Sequence, residues 1–352
     1  MNNFEFIQPA TVAEAIAAGA MPGASYHAGG TNLIDLMKGG VMRPERLVDL
    51  NRLPGLDRIA HAPDGGVRIG ARVRNADLAH DPAFARRFPA VAEALLAGAS
   101  GQLRNLATVG GNLLQRTRCA YFQDLASACN KRAPGSGCDA VGGENRLHAI
   151  LGWSPGCIAT HPSDFAVPLA ALDATVEIEG RGGRRDVKLV DFYCLPGDTP
   201  ARETVLDPGD LIVAVRLPAG AAQFAGHSRY LKLRERTSFA FAVVSAAAAL
   251  RLEGGRIVAA RIALGGVALK PWRAEAAEAI LAGAHPDKAV FARAAGLALE
   301  AATPSGDNGF KIELARRIVA RALAMAAAGT PARIPALPAS LFAASPGARI
   351  HV

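Results

Sequence analysis

Four of the five cysteines in this chain of 352 residues lie between residues 119 and 157. The segment around them is rich in Arg, Lys, Gly and Pro and has no amphipathic period, so no regular helix or strand is predicted there. A loop of this length inside a compact domain needs something other than a hydrophobic core to order it. The four side chains, Cys119, Cys129, Cys138 and Cys157, suggest an iron–sulfur cluster as a working hypothesis.

The spacing Cys-x9-Cys-x8-Cys-x18-Cys leaves four interpretations open. Four thiolates would supply one ligand to each iron of a [4Fe–4S] cluster. Zinc is the second choice, although the spacing differs from the paired C-x-x-C of zinc ribbons. Two disulfides or four free buried thiols are also possible. A disulfide framework is typical of small chains that need staples, whereas half of the residues here are hydrophobic and can build a core.

Basic residues flank these cysteines at Arg116, Arg118, Lys131 and Arg132. They are expected either to lower the pKa of the thiols and offset the charge of a cluster, or to form a solvated basic loop. The fifth cysteine, Cys194, stands apart and is predicted to be a buried structural residue.

Two histidines lie beside sequence motifs and could act as general bases. His27 precedes a glycine pair, and His161 precedes a Pro-Ser-Asp sequence. Both are expected to be ordinary hydrogen-bonding residues. The sequence contains no recognisable nucleophile–base pair.

Two glycine-containing motifs lie on the N-terminal side of the clustered cysteines. A predicted strand at 24–28 runs into Gly29-Gly30-Thr31-Asn32 and then into a predicted helix at 33–38. Backbone N–H groups at such a helix start can bind a phosphate, although a tight turn alone explains the pattern equally simply. The motif matches neither the dinucleotide fingerprint nor the P-loop. A second motif, Thr108-Val109-Gly110-Gly111-Asn112, follows about 80 residues later. Two such turns could hold two parts of one extended cofactor.

The remaining patterns predict an α+β chain with a domain boundary near residues 218–220. Predicted helices cover 11–20, 82–97, 164–172, 272–281, 287–302 and 310–327, and predicted strands cover 46–50, 66–72, 158–160, 175–179, 210–217, 228–233, 240–252 and 256–264. The first helix has Thr11 as N-cap with Glu14 at the capping-box position. Residues 330–352 are rich in Pro and Ala and are predicted to form an extended tail.

Composition and net charge limit the kinds of molecule that this chain is expected to bind. The net charge of +8 is expected to be spread over a solvated surface, or to form a basic face for acidic partner subunits or a phosphate-bearing cofactor. Nucleic-acid binding is disfavoured because the basic residues are scattered and aromatic residues make up only 5%. Apolar runs are too short to cross a bilayer, and no secretory signal is expected at the N-terminus.

The glycine motifs, the Ser163-Asp164 pair and the C-terminal pattern occur in an order that resembles the FAD-binding medium subunit of the molybdenum hydroxylases, the xanthine dehydrogenase and carbon monoxide dehydrogenase family. The resemblance covers roughly residues 1–328. It implies an α+β fold with a vanillyl-alcohol-oxidase-type (PCMH-type) FAD-binding domain of two subdomains at 1–220. An α+β flavoprotein domain, an antiparallel sheet with helices, would follow at 221–329, and the tail would occupy 330–352.

The resemblance also implies the FAD contacts. The first loop would wrap the pyrophosphate with Tyr26, His27, Ala28, Gly29, Gly30, Thr31, Asn32, Leu33 and Ile34. The second loop would add Thr108, Gly111, Asn112 and Gln115. Asp164 would contact the sugar or adenosine side, and Lys232 would lie near the flavin. Many members have an Asp where this chain has Ser238, so no acidic contact is expected at that position.

The main departure from most of the family is an insertion at about 113–160, which separates Asn112 from Asp164 by 52 positions. The insertion resembles that of the periplasmic aldehyde oxidoreductase type, whose flavin subunit carries a [4Fe–4S] cluster. The resemblance implies that Cys119, Cys129, Cys138 and Cys157 are its ligands.

The resemblance implies an electron-transfer subunit of a heterotrimeric molybdenum-dependent aldehyde oxidoreductase. A molybdenum-cofactor large subunit would oxidise the aldehyde, a [2Fe–2S] small subunit would relay electrons to FAD, and an external acceptor would receive them. Alternatives are the same role in a xanthine or N-heterocycle dehydrogenase or an aromatic acyl-CoA reductase, a stand-alone flavin oxidase, and a zinc-ordered scaffold without flavin. The expected location is periplasmic by export with a signal-bearing partner, or else cytoplasmic.

Overall fold

The computed structural model describes residues 1–332, which form an α+β structure on three sheets. The strands are β1 (Glu5–Ile7), β2 (Ala24–His27), β3 (Arg46–Asp49), β4 (Ile59–His61), β5 (Val67–Gly70), β6 (Thr175–Gly180), β7 (Gly183–Lys188), β8 (Leu211–Leu217), β9 (Ser228–Leu233), β10 (Val244–Glu253), β11 (Arg256–Gly265) and β12 (Trp272–Arg273). Residues 333–352 of the predicted tail lie outside the described residues.

The helices are α1 (Val12–Gly19), α2 (Leu33–Lys38), α3 (Asn75–His80), α4 (Pro82–Arg87), α5 (Pro89–Ala97), α6 (Gly101–Arg104), α7 (Val109–Leu113), α8 (Ala120–Gln123), α9 (Ala166–Ala171), α10 (Leu189–Phe192), α11 (Glu275–Leu281), α12 (Lys288–Ala298) and α13 (Phe310–Ala327). A 3-10 helix at Ala219–His227 connects the second sheet to the third. No helix among residues 1–332 has both the length and the apolar character needed to cross a bilayer.

The N-terminal half contains two sheets. The first is parallel, with the order β1-β3-β2, and the second is antiparallel, with the order β4-β5-β8-β6-β7. Thr11 caps α1 by accepting a hydrogen bond from the N–H of Glu14 at 3.2 Å, as the capping pattern predicts. The carboxyl end of β2 points into the first glycine loop, so this small sheet sets where the loop lies.

The C-terminal sheet has the antiparallel order β12-β11-β10-β9, and α13 packs against β10. Residues Ala246–Ala249 of β10 are all buried. Ala246 and Ala248 share a core cluster with α13, and their small side chains let the long helix approach the sheet closely, which fits the predicted sheet-and-helix domain. The three predicted strands at 228–233, 240–252 and 256–264 correspond to β9, β10 and β11.

Several helices and strands of the structure differ from the predicted ones, either at a proline or where the chain enters a loop. The predicted helix 82–97 is two helices, because Pro89 lacks an N–H and Phe88 takes a non-helical conformation with φ −131° and ψ 58°. The predicted strand 158–160 is not a strand in the structure and belongs to no sheet. The predicted helix from residue 272 begins only at Glu275, since Trp272 and Arg273 pair with β11.

Candidate functional site

The turn between β2 and α2 is a close-packed loop that requires glycine at two positions. A Cβ at Gly29 would lie 2.1 Å from the carbonyl oxygen of Leu106, and Gly30 has a φ of +68°. The first position has no room for a side chain, and the second has a backbone conformation that glycine adopts without strain. The loop therefore lies directly against the segment that leads into the second glycine motif.

The second glycine motif is the first turn of helix α7 and not an open turn. Thr108 caps this helix by accepting a hydrogen bond from the N–H of Gly111 at 3.3 Å. The Oδ1 of Asn112 accepts hydrogen bonds from Gln115 Nε2 and from Ser163 Oγ, both at 2.7 Å. Asn112 thus holds together the two ends of the cysteine-rich insertion.

A cavity of about 980 Å³, here called the flavin cavity, lies between the two glycine loops, the insertion and the C-terminal sheet. Its volume is in the range of large ligand sites. The predicted FAD contacts on its wall are Gly29, Gly30, Thr31, Asn32, Ile34, Gly111, Asn112, Gln115, Asp164 and Lys232. The structure therefore brings the two loops and the two charged residues to one cavity.

The other predicted contacts, Tyr26, His27, Ala28, Leu33 and Thr108, do not line this cavity and lie behind its loops. The Tyr26 hydroxyl donates a hydrogen bond to the carbonyl oxygen of Gly209 at 2.7 Å. The Nδ1 of His27 lies 3.3 Å from the carboxylate of Asp49. These contacts hold β2 in place, so they support the first loop from below.

Four buried polar atoms on the cavity wall have no hydrogen-bond partner within residues 1–332. They are Asn32 Nδ2, Asn75 Oδ1, Arg118 Nε and His148 Nδ1. Buried polar groups are nearly always paired in folded proteins. A polar cofactor with phosphates and hydroxyls would supply partners to these amide, guanidinium and imidazole groups, so the wall fits FAD.

The far wall carries a buried ion pair. Lys232 Nζ donates to Asp164 Oδ2 at 2.7 Å and to the carbonyl oxygen of Ala97 at 3.2 Å. The Tyr230 hydroxyl donates to the other carboxylate oxygen of Asp164 at 2.5 Å. Burial and the neighbouring carboxylate raise the pKa of Tyr230 well above its usual value, so this hydroxyl stays protonated.

The segment between β9 and β10 closes another part of the cavity. Its wall residues are Glu235, Arg236 and 239–243. Phe239 has a φ of +50°, and its carbonyl oxygen accepts a hydrogen bond from Arg236 Nε at 2.9 Å. The predicted strand from residue 240 begins only at Val244, because the preceding residues form this wall.

The four clustered cysteines line one small enclosed cavity, here called the cysteine cavity. All four are free thiols, so the disulfide interpretation does not describe this structure. Cys129 and Cys138 face each other in an isolated antiparallel bridge, and Cys157 bridges to Ser154. Within the described residues, no group of three or more His, Cys, Asp or Glu side chains is placed to hold a single metal ion.

The flanking basic residues brace the insertion and are not a solvated loop. Lys131, with a nearly fully buried side chain, and Arg116 both pair with Glu203, at 2.9 and 2.7 Å. Arg132 donates to the carbonyl oxygens of Tyr121 and Phe122, each at 2.8 Å. These contacts brace the insertion in addition to its small apolar clusters around Phe122 and around Ile150 and Leu151.

Two of the thiols do not have the lowered pKa values predicted from these basic neighbours. Burial, together with the nearby sulfurs of Cys129 and Cys157, raises the pKa of Cys119 to about 11. For Cys157, burial also raises the pKa and outweighs the opposite effect of Lys131. Because Cys119 and Cys157 are neutral thiols when nothing is bound, they would need a bound cation to become thiolates at neutral pH.

The two cavities meet at a shared wall. Thr117 and Cys119 line both the cysteine cavity and the flavin cavity. His148, which also lines the flavin cavity, lies with its Nε2 3.2 Å from Cys119 Sγ. A group bound by the cysteines would therefore be separated from a group in the flavin cavity by little more than one side chain.

The two remaining candidate residues, His161 and Cys194, are not arranged for catalysis. The Nε2 of His161 lies 3.4 Å from the carbonyl oxygen of Leu113, and its Nδ1 accepts from the N–H of Ser163 at 3.4 Å. Burial lowers the pKa of His161 to about 4, so the ring is neutral at pH 7. Cys194 is partly exposed, and not buried as predicted, on a neighbouring cavity with His161 and Glu203.

Sequence reasoning missed several wall residues, among them Asn75, Ala99, Leu103, Arg104 and the 239–243 segment. Asn75 reaches the cavity because its N–H donates to the carbonyl oxygen of Ala107 at 2.9 Å. No motif marks such a tertiary contact. The close packing of Gly29 against the backbone of Leu106 could not be predicted from the sequence either, although the glycine itself indicated a tight turn.

Comparison with known proteins gives the family. Residues 2–220 match the FAD binding domain in molybdopterin dehydrogenase, and residues 229–326 match the CO dehydrogenase flavoprotein C-terminal domain. The chain belongs to the FAD-binding subunits of the molybdenum hydroxylase family. This membership confirms the predicted fold class and the prediction of FAD as a cofactor. It also makes the chain an oxidoreductase subunit, which contradicts the alternative of a non-enzymatic zinc-ordered scaffold.

Three relatives show how far this molybdenum hydroxylase flavin subunit resembles known ones. It is 51% identical to the aldehyde oxidoreductase FAD-binding subunit PaoB of Escherichia coli (strain K12) over 330 residues, 93% of this chain and 99% of that one. It is 30% identical to the carbon monoxide dehydrogenase medium chain of Hydrogenophaga pseudoflava, over 91% of this chain and 96% of that one. Reconstituted CO dehydrogenase from Oligotropha carboxidovorans superposes with a TM-score of 0.74 at 27% identity, over 94% and 99% of the chains.

Proposed function

We propose that this chain is the FAD- and [4Fe–4S]-containing electron-transfer subunit of a molybdenum-dependent aldehyde oxidoreductase. The observation that carries the proposal is the shared wall at Cys119, which puts a four-cysteine cavity against the flavin cavity. The 51% identity to an aldehyde oxidoreductase subunit supports the substrate class.

The cofactors divide between the two cavities. FAD can accept electrons singly from iron–sulfur centres and pass on two. Asn32, Asn75 and Arg118 carry the unpartnered atoms that would hold its polar groups. Cys119, Cys129, Cys138 and Cys157 would ligate the cluster, one iron each.

The four cysteines of the small cavity support a cluster as its proposed occupant. Four thiols surround one space, and a [4Fe–4S] cluster takes one cysteine ligand for each of its four irons. The spacing of these cysteines along the chain differs from the paired C-x-x-C of zinc ribbons. The raised pKa values of Cys119 and Cys157 fit a site that is deprotonated only when the positively charged irons bind.

The partners follow from the chemistry that this chain lacks. Its described residues show no nucleophile–base pair, so the aldehyde would be oxidised in a large subunit that holds the molybdenum cofactor. A small [2Fe–2S] subunit would deliver the electrons, and an external acceptor would take them from FAD. Export as the passenger of a signal-bearing partner stays a prediction.

Metal analysis and absorption spectroscopy of the purified chain test the cofactors. A flavin spectrum with a broad, reducible iron–sulfur absorption and about four irons per chain is expected. One zinc per chain without iron would overturn the cluster assignment, and a colourless protein that does not bind added FAD would overturn the flavin role.

The substrate class needs the assembled complex, since the large subunit would contain the substrate pocket. The complex is expected to oxidise aldehydes, whereas this chain alone is expected to be inactive towards them. Turnover of purines or N-heterocycles but not of aldehydes would favour the xanthine-type alternative. Turnover by the isolated chain would favour the stand-alone oxidase.

A further inference from the structure

His148 lies where the cysteine cavity meets the flavin cavity. Its Nε2 is 3.2 Å from Cys119 Sγ, within the range of an N–H···S hydrogen bond, and its side chain lines the flavin cavity. The residue is only 8% exposed. No motif marked it, and the cluster assignment does not use it.

The backbone of His148 is fixed by the C-terminal domain. Its carbonyl oxygen accepts hydrogen bonds from Lys311 Nζ at 2.7 Å and from Asn308 Nδ2 at 3.1 Å. Both donors are fully buried, and Lys311 also donates to the carbonyl oxygens of Leu147 and Gly266. Such dense pairing of a loop backbone fixes where the imidazole stands.

The partner atoms dictate the tautomer of the ring. A cysteine sulfur that ligates iron is deprotonated and can only accept hydrogen bonds. Nε2 must therefore carry the proton, which leaves Nδ1 as an acceptor, and Nδ1 has no partner within residues 1–332.

We propose that His148 donates a hydrogen bond from Nε2 to the Cys119 thiolate and thereby raises the reduction potential of the [4Fe–4S] cluster. This inference rests on the proposed cluster. Reduction adds one negative charge to the cluster, and a donor to a ligand sulfur stabilises the more negative state. Among the four proposed ligands, Cys119 is the one on the flavin cavity wall, so the bond acts on the side from which electrons would pass.

The test is a redox titration of the purified complex, followed by the electron paramagnetic resonance of the reduced cluster. His148→Leu removes the donor, and His148→Gln places an amide N–H within reach of the sulfur. His285→Leu is the matched control. It removes the same ring from an exposed position, where Nδ1 lies 3.3 Å from the carbonyl oxygen of Gly255, and this residue lines neither cavity.

His148→Leu is expected to lower the equilibrium constant for cluster reduction about tenfold, which is about 59 mV for a one-electron couple. His148→Gln should restore most of the loss, and His285→Leu should leave the potential unchanged. An unchanged potential in His148→Leu with all four irons retained would overturn the inference. Absence of iron in the wild-type protein would instead overturn the proposed function.

A second measurement uses the wild-type protein alone, in case His148→Leu loses the cluster. Pulsed resonance of the reduced cluster should show a weakly coupled imidazole nitrogen, distinct from the backbone amide nitrogens of Tyr121 and Phe122, whose N–H groups also face the Cys119 sulfur. Absence of that nitrogen, or a strong coupling typical of a directly bound imidazole, would contradict the hydrogen bond.

Discussion

Lys232 Nζ and Asp164 Oδ2 lie 2.7 Å apart on the wall of the flavin cavity, and both side chains are less than a tenth exposed. Lys232 belongs to the first strand of the C-terminal sheet, whereas Asp164 ends the cysteine-rich insertion. The flavin cavity is therefore closed by an ion pair that joins the two halves of the chain.

Asp164→Asn should destabilise the fold and weaken FAD binding. The substitution leaves a buried ammonium without its anion, and breaking a buried pair from one side costs about 3–5 kcal/mol. The free energy of unfolding in denaturant, with and without added FAD, measures the effect. The control is Asp173→Asn, an exposed partner of Arg261 and Arg273, with an expected change of about 0–1 kcal/mol. Equal losses in the two variants would contradict the role given to Asp164.

Gly29→Ala should abolish FAD retention while the rest of the fold persists. The new Cβ would lie 2.1 Å from the carbonyl oxygen of Leu106, so the two cavity segments must move apart. The dissociation constant for FAD, measured by flavin fluorescence on the apoprotein, should rise at least about tenfold, about 1.4 kcal/mol. Gly101→Ala is the matched control, because a Cβ there meets nothing within 4 Å. Similar FAD affinity in both variants would show that the approach to Leu106 is dispensable.

The sequence marks the site well where a residue type is itself unusual. The glycine pairs, the Ser163-Asp164 pair and the clustered cysteines all stand out, and the structure places them around two adjoining cavities. Glycine and cysteine carry this information because their backbone freedom or thiol chemistry has few substitutes.

The sequence does not mark contacts that arise only from packing. Asn75 reaches the flavin cavity through one backbone hydrogen bond to Ala107, and His148 through the clamp from Lys311. The predicted lowering of the thiol pKa values also required knowledge of burial, which reversed its sign for Cys119. The motifs therefore indicated where the flavin cavity lies, whereas its polar wall residues could be identified only from the structure.

Cys129→Ser should remove the cluster and leave FAD in place. Cys129 lines the cysteine cavity but not the flavin cavity, so its loss takes one of four ligands without touching the FAD wall. Iron per chain should fall from about four to near zero, while flavin content stays close to that of the wild-type protein. Cys194→Ser provides the control, since Cys194 lies outside the cysteine cavity. Full iron content in Cys129→Ser would show that the ligand set is wrong.

His161 should make the stability of the protein depend on pH between about 6.5 and 4. Burial lowers the pKa of this imidazole to about 4 in the folded chain, whereas an unfolded histidine has a pKa near 6.5. As the pH falls through this window, His161 binds a proton in the unfolded state but not in the folded state. The free energy of unfolding therefore falls with decreasing pH, by up to about 3 kcal/mol.

The measurement is chemical unfolding of the wild-type protein and of His161→Phe at several pH values from 7 to 4. Phenylalanine keeps an aromatic ring beside Tyr193, whose ring centroid is 4.5 Å from that of His161. As the pH falls, the free energy of unfolding of the wild-type protein should decrease steadily relative to that of His161→Phe, since only the wild-type chain loses this contribution. His80→Asn, at an exposed position on α3, should give a curve parallel to that of the wild-type protein. A parallel curve for His161→Phe would mean that the buried imidazole does not titrate as its surroundings indicate.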